Sequence, residues 1–349
     1  MKIYLDDSLY SPFLYPFTST RHVSDIRVGI LTIAEKWQQL TNAVIEKYTG
    51  SQHSQDGWVI PAHLIPTLQN FRSILKVAAE NGDFDLIPNL MSITLPWHIF
   101  QLNAAAIEAD IDIMTAGRIS APIPEGTRAI APERIFIEPG ATILMCCLNA
   151  TEGRIYIGKN TLIMEGSLIR GPFAACEAAV VKMGATIYGG TTIGPYSVVG
   201  GEIKNSILFA YSNKAHEGYL GDSVIGEWCN LGAGTSNSNV KNTGAQVKYI
   251  TAPDRVPEIA GQRAGLLMGD YSRCAINTSF NTGTIIGVCC NIFGEIPAKY
   301  VNHFSWGKEQ YIFEKALQDI DNWKKMKGHE LTSTERIMLN NIYLSTQSK

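Results

Sequence analysis

Two short stretches near the middle of the chain combine residues able to do chemistry. The first, Asn213-Lys214-Ala215-His216-Glu217-Gly218-Tyr219-Leu220-Gly221-Asp222, places a histidine in a glycine-containing loop. Imidazole is the side chain whose ordinary proton affinity lies near neutrality, so His216 is suited to take a proton from an attacking amine or hydroxyl. The plainer alternative is a solvent-exposed loop histidine. The second stretch, Asn230-Leu231-Gly232-Ala233-Gly234-Thr235, is rich in small residues. Ala233, Gly234 and Thr235 would let a ligand approach main-chain donors, and equally would form a tight backbone corner. The other histidines, at 22, 53, 63, 98, 303 and 329, have no comparable setting and read as structural or exposed. Near the N-terminus, Thr20-Arg21-His22 and Asp25-Ile26-Arg27 supply cations that could hold a phosphate. No glycine-rich loop follows the first strand to make the backbone nest that cradles nucleotide phosphates. That favours a binding or structural N-terminal part over a catalytic one. The seven cysteines show no CxxC spacing. Buried thiols are expected from them, and neither a metal site nor a disulfide framework.

The elements that must position these residues announce themselves by a six-residue period. Ile157, Ile163, Ile169, Ala175, Val181, Ile187, Ile193 and Val199 are all aliphatic, with Gly158, Gly194 and Gly200 directly behind three of them. A second register runs Tyr219, Ile225, Leu231, and a third runs Met268, Cys274, Phe280, Ile286, Ile292. Neither a helix, with period 3.6, nor a flat strand, with period 2, produces such a pattern. Six residues per face and three faces per turn put one aliphatic inside each face, stacked on its equivalent one coil away. The sequence therefore predicts a mainly β protein built on a left-handed parallel β-helix of hexapeptide repeats. The breaks near 203–218 and 238–266 read as loops leaving the coil, where function concentrates.

Residues 1–118 do not repeat and suggest a small α/β unit. MKIYLDD predicts a strand, Ile26–Leu40, Thr67–Glu80 and Trp97–Ala109 predict helices, and 111–114 a short strand. The coil is expected over 119–304. Over 305–349, Glu309–Lys327 and Glu335–Leu344 predict helices that would cap its open end, the second opened by a capping box from Thr332 to Glu335. A net charge of -3 gives no reason to expect nucleic acid or an anionic membrane as partner. No apolar run is long enough to span a bilayer, and acidic residues stand where a secretory leader would be apolar. The expected location is the cytoplasm.

The stretches around His216 and Ala233, with Gly171-Pro172-Phe173-Ala174 and Lys182-Met183-Gly184-Ala185, resemble the acetyltransferase half of the bifunctional N-acetylglucosamine-1-phosphate uridyltransferases over about residues 155–295. Nearly the whole chain is similar to a group of sugar-nucleotidyltransferase-related proteins of Bacteroidetes-type bacteria. It shares with them TRHVSDIRVGILTIAEKW, GGEIKNS, SNKAHEGYLGDSVIGEWCNLGAGTSNSNVKN and INTSFNTGTIIGV. The resemblance implies acetyl-CoA or another acyl-CoA as co-substrate, a sugar phosphate or nucleotide sugar as partner, and a homotrimer. It implies His216 as general base, Lys182, Tyr219 and Asn239 as sugar-phosphate contacts, and Ala233 with Gly234 and Thr235 against the acyl-CoA. Mg²⁺ is implied only if the N-terminal unit transfers nucleotides; no protein-held metal is expected. The sequence departs from the family where a lysine would stand at Gly200, with Lys214 as a substitute one place from the nearest family lysine, and where a glycine would stand at Ala215. It also inserts 240–265 at the expected approach of the acyl-CoA. Three readings follow: an acyl-CoA-dependent acyltransferase acting on an amino-sugar phosphate, a sugar-1-phosphate nucleotidyltransferase with the coil as oligomerising scaffold, and a non-catalytic sugar-nucleotide-binding protein.

Overall fold

The computed structural model describes residues 2–50, 57–252, 254–294 and 298–347. Among these, three stacks of short parallel strands form a solenoid from Arg128 to Trp306. Face 1 runs from Ile135–Ile137 to Tyr300–Val301, and face 2 from Thr142–Ile143 to Ser305–Trp306. Face 3 runs from Arg128–Ile130 to Tyr219–Gly221 and resumes in the pair Ser236–Asn237 and Ser279–Phe280. All eight aliphatics of the first six-residue register lie in one continuous interior core.

The breaks in the period have two different causes. Corners from face 2 to face 3 ordinarily take four residues, as Lys182–Ala185 do between Val180–Val181 and Thr186–Ile187. After Val198–Val199 the corner is only Gly200-Gly201, and Glu202–Lys204 begins at once. The interior position therefore falls at Ile203, paired with Ile187, and the phase of the repeat shifts. Residues 203–218 stay in the coil and do not leave it as a loop. For the same reason Leu220, paired with Ile203, points inward, and its neighbour Tyr219 does not. The second break is a true insertion, a hairpin of Val247–Tyr249 and Glu258–Gly261.

The N-terminal unit contains a parallel sheet in the order β2 (Val44–Tyr48), β1 (Lys2–Asp6), β3 (Gly57–Pro61). Helix α1 (Ile33–Leu40) begins at a Thr32/Glu35 capping box, later than the pattern suggested because the chain turns at Gly29 (φ +81°). Helices α2 (Phe71–Ala79) and α3 (His98–Thr115) follow. The strand expected at 111–114 is the last turns of α3, whose apolar residues Ile107 and Ile111 are buried at helical spacing.

This unit packs on the outside of face 1. Ile207, Val224, Leu267 and Ile285 point outward from the coil into the core that contains Ile3, Leu5 and Trp37. Buried on both sides, these strands read as unbroken apolar runs such as Leu266-Leu267-Met268, as covered parallel sheets do. Asn103 on α3 donates to Gly190 O at 2.7 Å, and Arg154 of the coil pairs with Asp112 at 2.7 Å.

Helices α4 (Phe313–Lys325) and α5 (Ser333–Gln347) lie along the corner between faces 1 and 2 and do not plug the open end. The cause is an apolar ladder at that corner. Tyr211, Trp228, Tyr271 and Phe304 adopt left-handed backbone (φ 54–61°), which turns their rings outward under the helices. Tyr211 and Trp228 stack at 4.2 Å. The Thr332–Glu335 capping box is present, and an antiparallel strand, Glu309–Gln310, closes the end of face 2.

Candidate functional site

The corner between faces 2 and 3 carries most of the residues singled out above. Asn213 pairs with Asn230 on face 2, so the corners that follow, 215–218 and 232–235, are stacked one coil apart. His216 and Ala233 hold the same second position in successive corners, at the strand spacing of roughly 4.8 Å. His216 is exposed, and among the described residues its imidazole has no hydrogen-bond partner. Corner amides normally bond to the coil below, as Gly184 N does to Glu165 O at 2.9 Å and Asn277 N to Ala233 O at 2.7 Å. The amide of Gly234 breaks this pattern: among the described residues it donates to no carbonyl. The equivalent acceptor, His216 O, is taken by the ammonium of Lys214. Thr235 turns its hydroxyl inward toward Cys274 Sγ at 3.4 Å, so Ala233 and Gly234 alone of the three face outward.

Lys214 occupies an interior slot, paired with Val199, and is fully buried. Besides His216 O, its ammonium reaches Glu217 O at 3.0 Å and Gly200 O at 3.4 Å. Burial lowers its pKa to about 8. It braces the His216 loop from inside, and the structure does not bring it to a surface where a phosphate could reach it.

Lys182 is half-buried, two coils below Ala215 and therefore about 10 Å away along the corner. Between them the two-residue Gly200-Gly201 corner leaves a notch. A Cβ on Gly200 would stand 2.6 Å from Ala215 O, and one on Gly201 would stand 2.8 Å from His216 O. No side chain fits there, so the family lysine has no room. Tyr219 and Asn239 are brought together, with Asn239 Nδ2 donating to Tyr219 Oη at 3.0 Å. Asn239 also bonds to Asp222, which accepts from Asn205 at 2.7 Å. This polar group lies at the far end of the face-3 strand, with the Tyr219 hydroxyl over Gly221, five residues along the chain from His216. Burial, then Asp222, raises the Tyr219 pKa and keeps its hydroxyl protonated.

The insertion does not leave the coil at the corner of His216 and Ala233. It leaves the coil after Asn239, at the corner from face 3 to face 1, and turns toward the N-terminal unit. There Tyr249 stacks on Trp97 at 5.3 Å and Gln101 donates to Ala260 O at 2.7 Å.

At the N-terminus, Arg21 pairs with Asp270 and, at 3.4 Å, Glu227 of the coil. His22 wedges between Asp7, at 3.5 Å, and Tyr48 O, at 3.0 Å, with Ser24 Oγ 2.8 Å from its other nitrogen. These groups fill the carboxyl ends of β1 and β2, where open α/β sheets place their ligands. His53 lies outside the described residues. Sequence reasoning missed Glu227, Asp270 and Glu335, which meet Arg21 and Arg27 in a recess of about 610 Å³. The repeated Gly-acid-aromatic triplets at 226–228 and 269–271 are the signal that could have flagged the first two.

A solenoid with an exposed histidine at one corner, beside an unspent main-chain amide, defines the class, a parallel β-helix protein with a grafted α/β unit. Comparison with known proteins narrows it. Residues 3–84 match the family model for sugar nucleotidyl transferases. The chain is 30% identical to a bifunctional protein GlmU of Methanocaldococcus jannaschii over 42% of its own length and 34% of that protein. It is 28% identical to a bifunctional sugar-1-phosphate nucleotidylyltransferase/acetyltransferase of Sulfurisphaera tokodaii over 61% and 46%, and 33% identical to the GlmU of Thermus thermophilus over 33% and 30%. Each match spans less than half of the relative. Among the described residues no helix is long and apolar enough to cross a membrane, and no group of three or more His, Cys, Asp or Glu could hold a metal ion.

Proposed function

We propose that this chain is an acyl-CoA-dependent acyltransferase acting on an amino-sugar phosphate or nucleotide sugar in cell-envelope sugar metabolism, working in the cytoplasm. The observation that carries the reading is the exposed His216 one coil below the unspent amide of Gly234. An acyl-CoA supplies an activated thioester; the chain's part is to bind, orient and move a proton. His216 takes the proton of the attacking amine, a step worth roughly 10²–10⁴ in rate. The Gly234 amide offers a hydrogen bond to the carbonyl oxygen as charge develops there. The small side chain of Ala233 and the absent one of Gly234 keep that approach open. Lys182, across the notch, suits the phosphate as a point charge, and Tyr219 with Asn239 suits sugar hydroxyls. Support also comes from the relative named an acetyltransferase.

A trimer fits the same corner. Met183 and Ile276 hold the position of His216 on other coils and expose 66% and 67% of their surface. Neighbouring copies would cover such apolar residues and wall the site. The match of residues 3–84 keeps a nucleotidyltransferase as the second reading, with Mg²⁺ as its requirement. The plugged strand ends around Asp7 and His22 weigh against it.

The test is release of free CoA from acetyl-CoA with an amino-sugar 1-phosphate. His216→Ala should lower the rate at least 100-fold with an unchanged melting temperature. Equal rates in wild type and variant would remove His216 as base, and silence of both across acyl-CoAs and amino-sugar phosphates would remove the acyltransferase reading.

A further inference from the structure

We propose that Lys214 is a positioning residue for the His216 corner: its ammonium holds the carbonyl of His216, so that the amide of Gly234 stays free to donate to the thioester oxygen. The inference rests on the acyltransferase function proposed for this corner and gives the buried side chain its part in it. The observation comes from one column of interior slots on face 2. On seven other coils the slot is filled by Ile143, Ile163, Val181, Val199, Leu231, Cys274 and Ile292, all of them members of the interior core. Lys214, paired with Val199, is the exception, and it stands at the entry to the corner of His216.

A buried ammonium is costlier to hold in such a slot than an aliphatic side chain, so fold stability does not explain its presence. Its three N–H groups go to three carbonyls, and two of these, His216 O and Glu217 O, belong to the His216 loop. What the ammonium changes is the donor that His216 O receives. In the other corners the third amide donates to the carbonyl of the second residue one coil below. Gly166 N does so to Met145 O at 3.0 Å, Gly184 N to Glu165 O at 2.9 Å and Asn277 N to Ala233 O at 2.7 Å. In the corner above His216 that donor would be Gly234 N, which has no acceptor among the described residues.

A charged donor makes the stronger hydrogen bond, so the ammonium wins His216 O from the neutral amide. The Gly234 N–H is left over, one coil from the imidazole. An apolar residue in the slot would return His216 O to Gly234 N. That would complete the ladder of corner bonds and remove the donor that developing charge on the carbonyl oxygen requires. The imidazole of His216 would remain. Lys214 itself touches no substrate and acts only through these two backbone groups.

The test is amide hydrogen exchange, followed by NMR on the full chain isotope-labelled at glycine. In wild type the Gly234 amide should exchange at least tenfold faster than that of Gly184, which holds the same place in another corner and is bonded. Lys214→Met should slow Gly234 at least tenfold and leave Gly184 unchanged. A lysine that merely steadied the loop would give, on removal, equal or faster exchange. In acyl transfer the variant should lose roughly 100-fold in kcat with the KM for the acyl-CoA within about twofold, as loss of one oxyanion donor does. Gly234 protected like Gly184 in wild type would overturn the proposal without any variant. So would an unprotected Gly234 in Lys214→Met, or an undiminished kcat with Gly234 protected. A wild type that transfers no acyl group while both exchange results hold would instead remove the acyltransferase reading, and with it the catalytic purpose of the free amide.

Discussion

Replacing Lys214 by methionine asks whether the ammonium lies inside the coil. In the folded chain its pKa is lowered from 10.5 to about 8, with burial as the main cause. That difference is roughly 300-fold in proton affinity, or about 3 kcal/mol, and screening by solvent near the corner trims it to about 2 kcal/mol. The unfolded chain keeps this proton up to pH 10.5 and the folded chain only to about 8. Between those values the unfolded state binds more protons, so stability rises with pH. Below the window wild type carries the full cost of the buried charge; above it the cost is gone. The methionine variant lacks this dependence. At neutral pH it also strips a donor from the carbonyls of His216, Glu217 and Gly200, at about 1–3 kcal/mol for each one left buried and unpaired. The two effects oppose, and the pH slope separates them. Urea unfolding of both proteins across the window should show wild type minus variant climbing by about 2 kcal/mol. A flat difference would refute the reasoning, because it would place the ammonium in solvent, within reach of the phosphate that the family resemblance assigned to it.

Gly200→Lys, which would restore the family's lysine, should lower the melting temperature and give no gain in acyl transfer, because its Cβ would meet Ala215 O. A stable and more active variant would contradict the account of the two-residue corner. Arg21→Met should cost about 3–5 kcal/mol in urea unfolding by leaving the buried Asp270 carboxylate unpaired. The double change Arg21→Met with Asp270→Leu should recover most of that, and an equal loss in both would mean that the ion pair is not what the single variant breaks.

The interior of the coil was legible because each buried residue has the same job. Eight aliphatics spaced by six have no simpler explanation than a stacked face, and each lies in the interior core. What escaped was the arithmetic of corners. Counting six from Val199 lands on Asn205, whereas the shortened corner delivers Ile203 and then Leu208 to the interior. Once Leu220 is recognised as the inward residue, counting back six lands on Lys214, so a buried lysine was implicit in the repeat. It was hidden because Tyr219 had been given that place. The direction taken by the 240–265 insertion is a different kind of problem. Nothing in its sequence states which of three corners it leaves, and its course follows from Tyr249 finding Trp97, about 150 residues away in sequence. The same holds for the recess at Glu227. Arg21 meets that carboxylate only because the outward side chains of face 1 are apolar, which docks the N-terminal unit there and carries its charged edge to the corner ladder. The residues that do local work, turning a corner or filling a face, reveal themselves by spacing. Those that join separate parts of the chain, as Arg21 does with Asp270 and Glu227, are visible only after the parts have met.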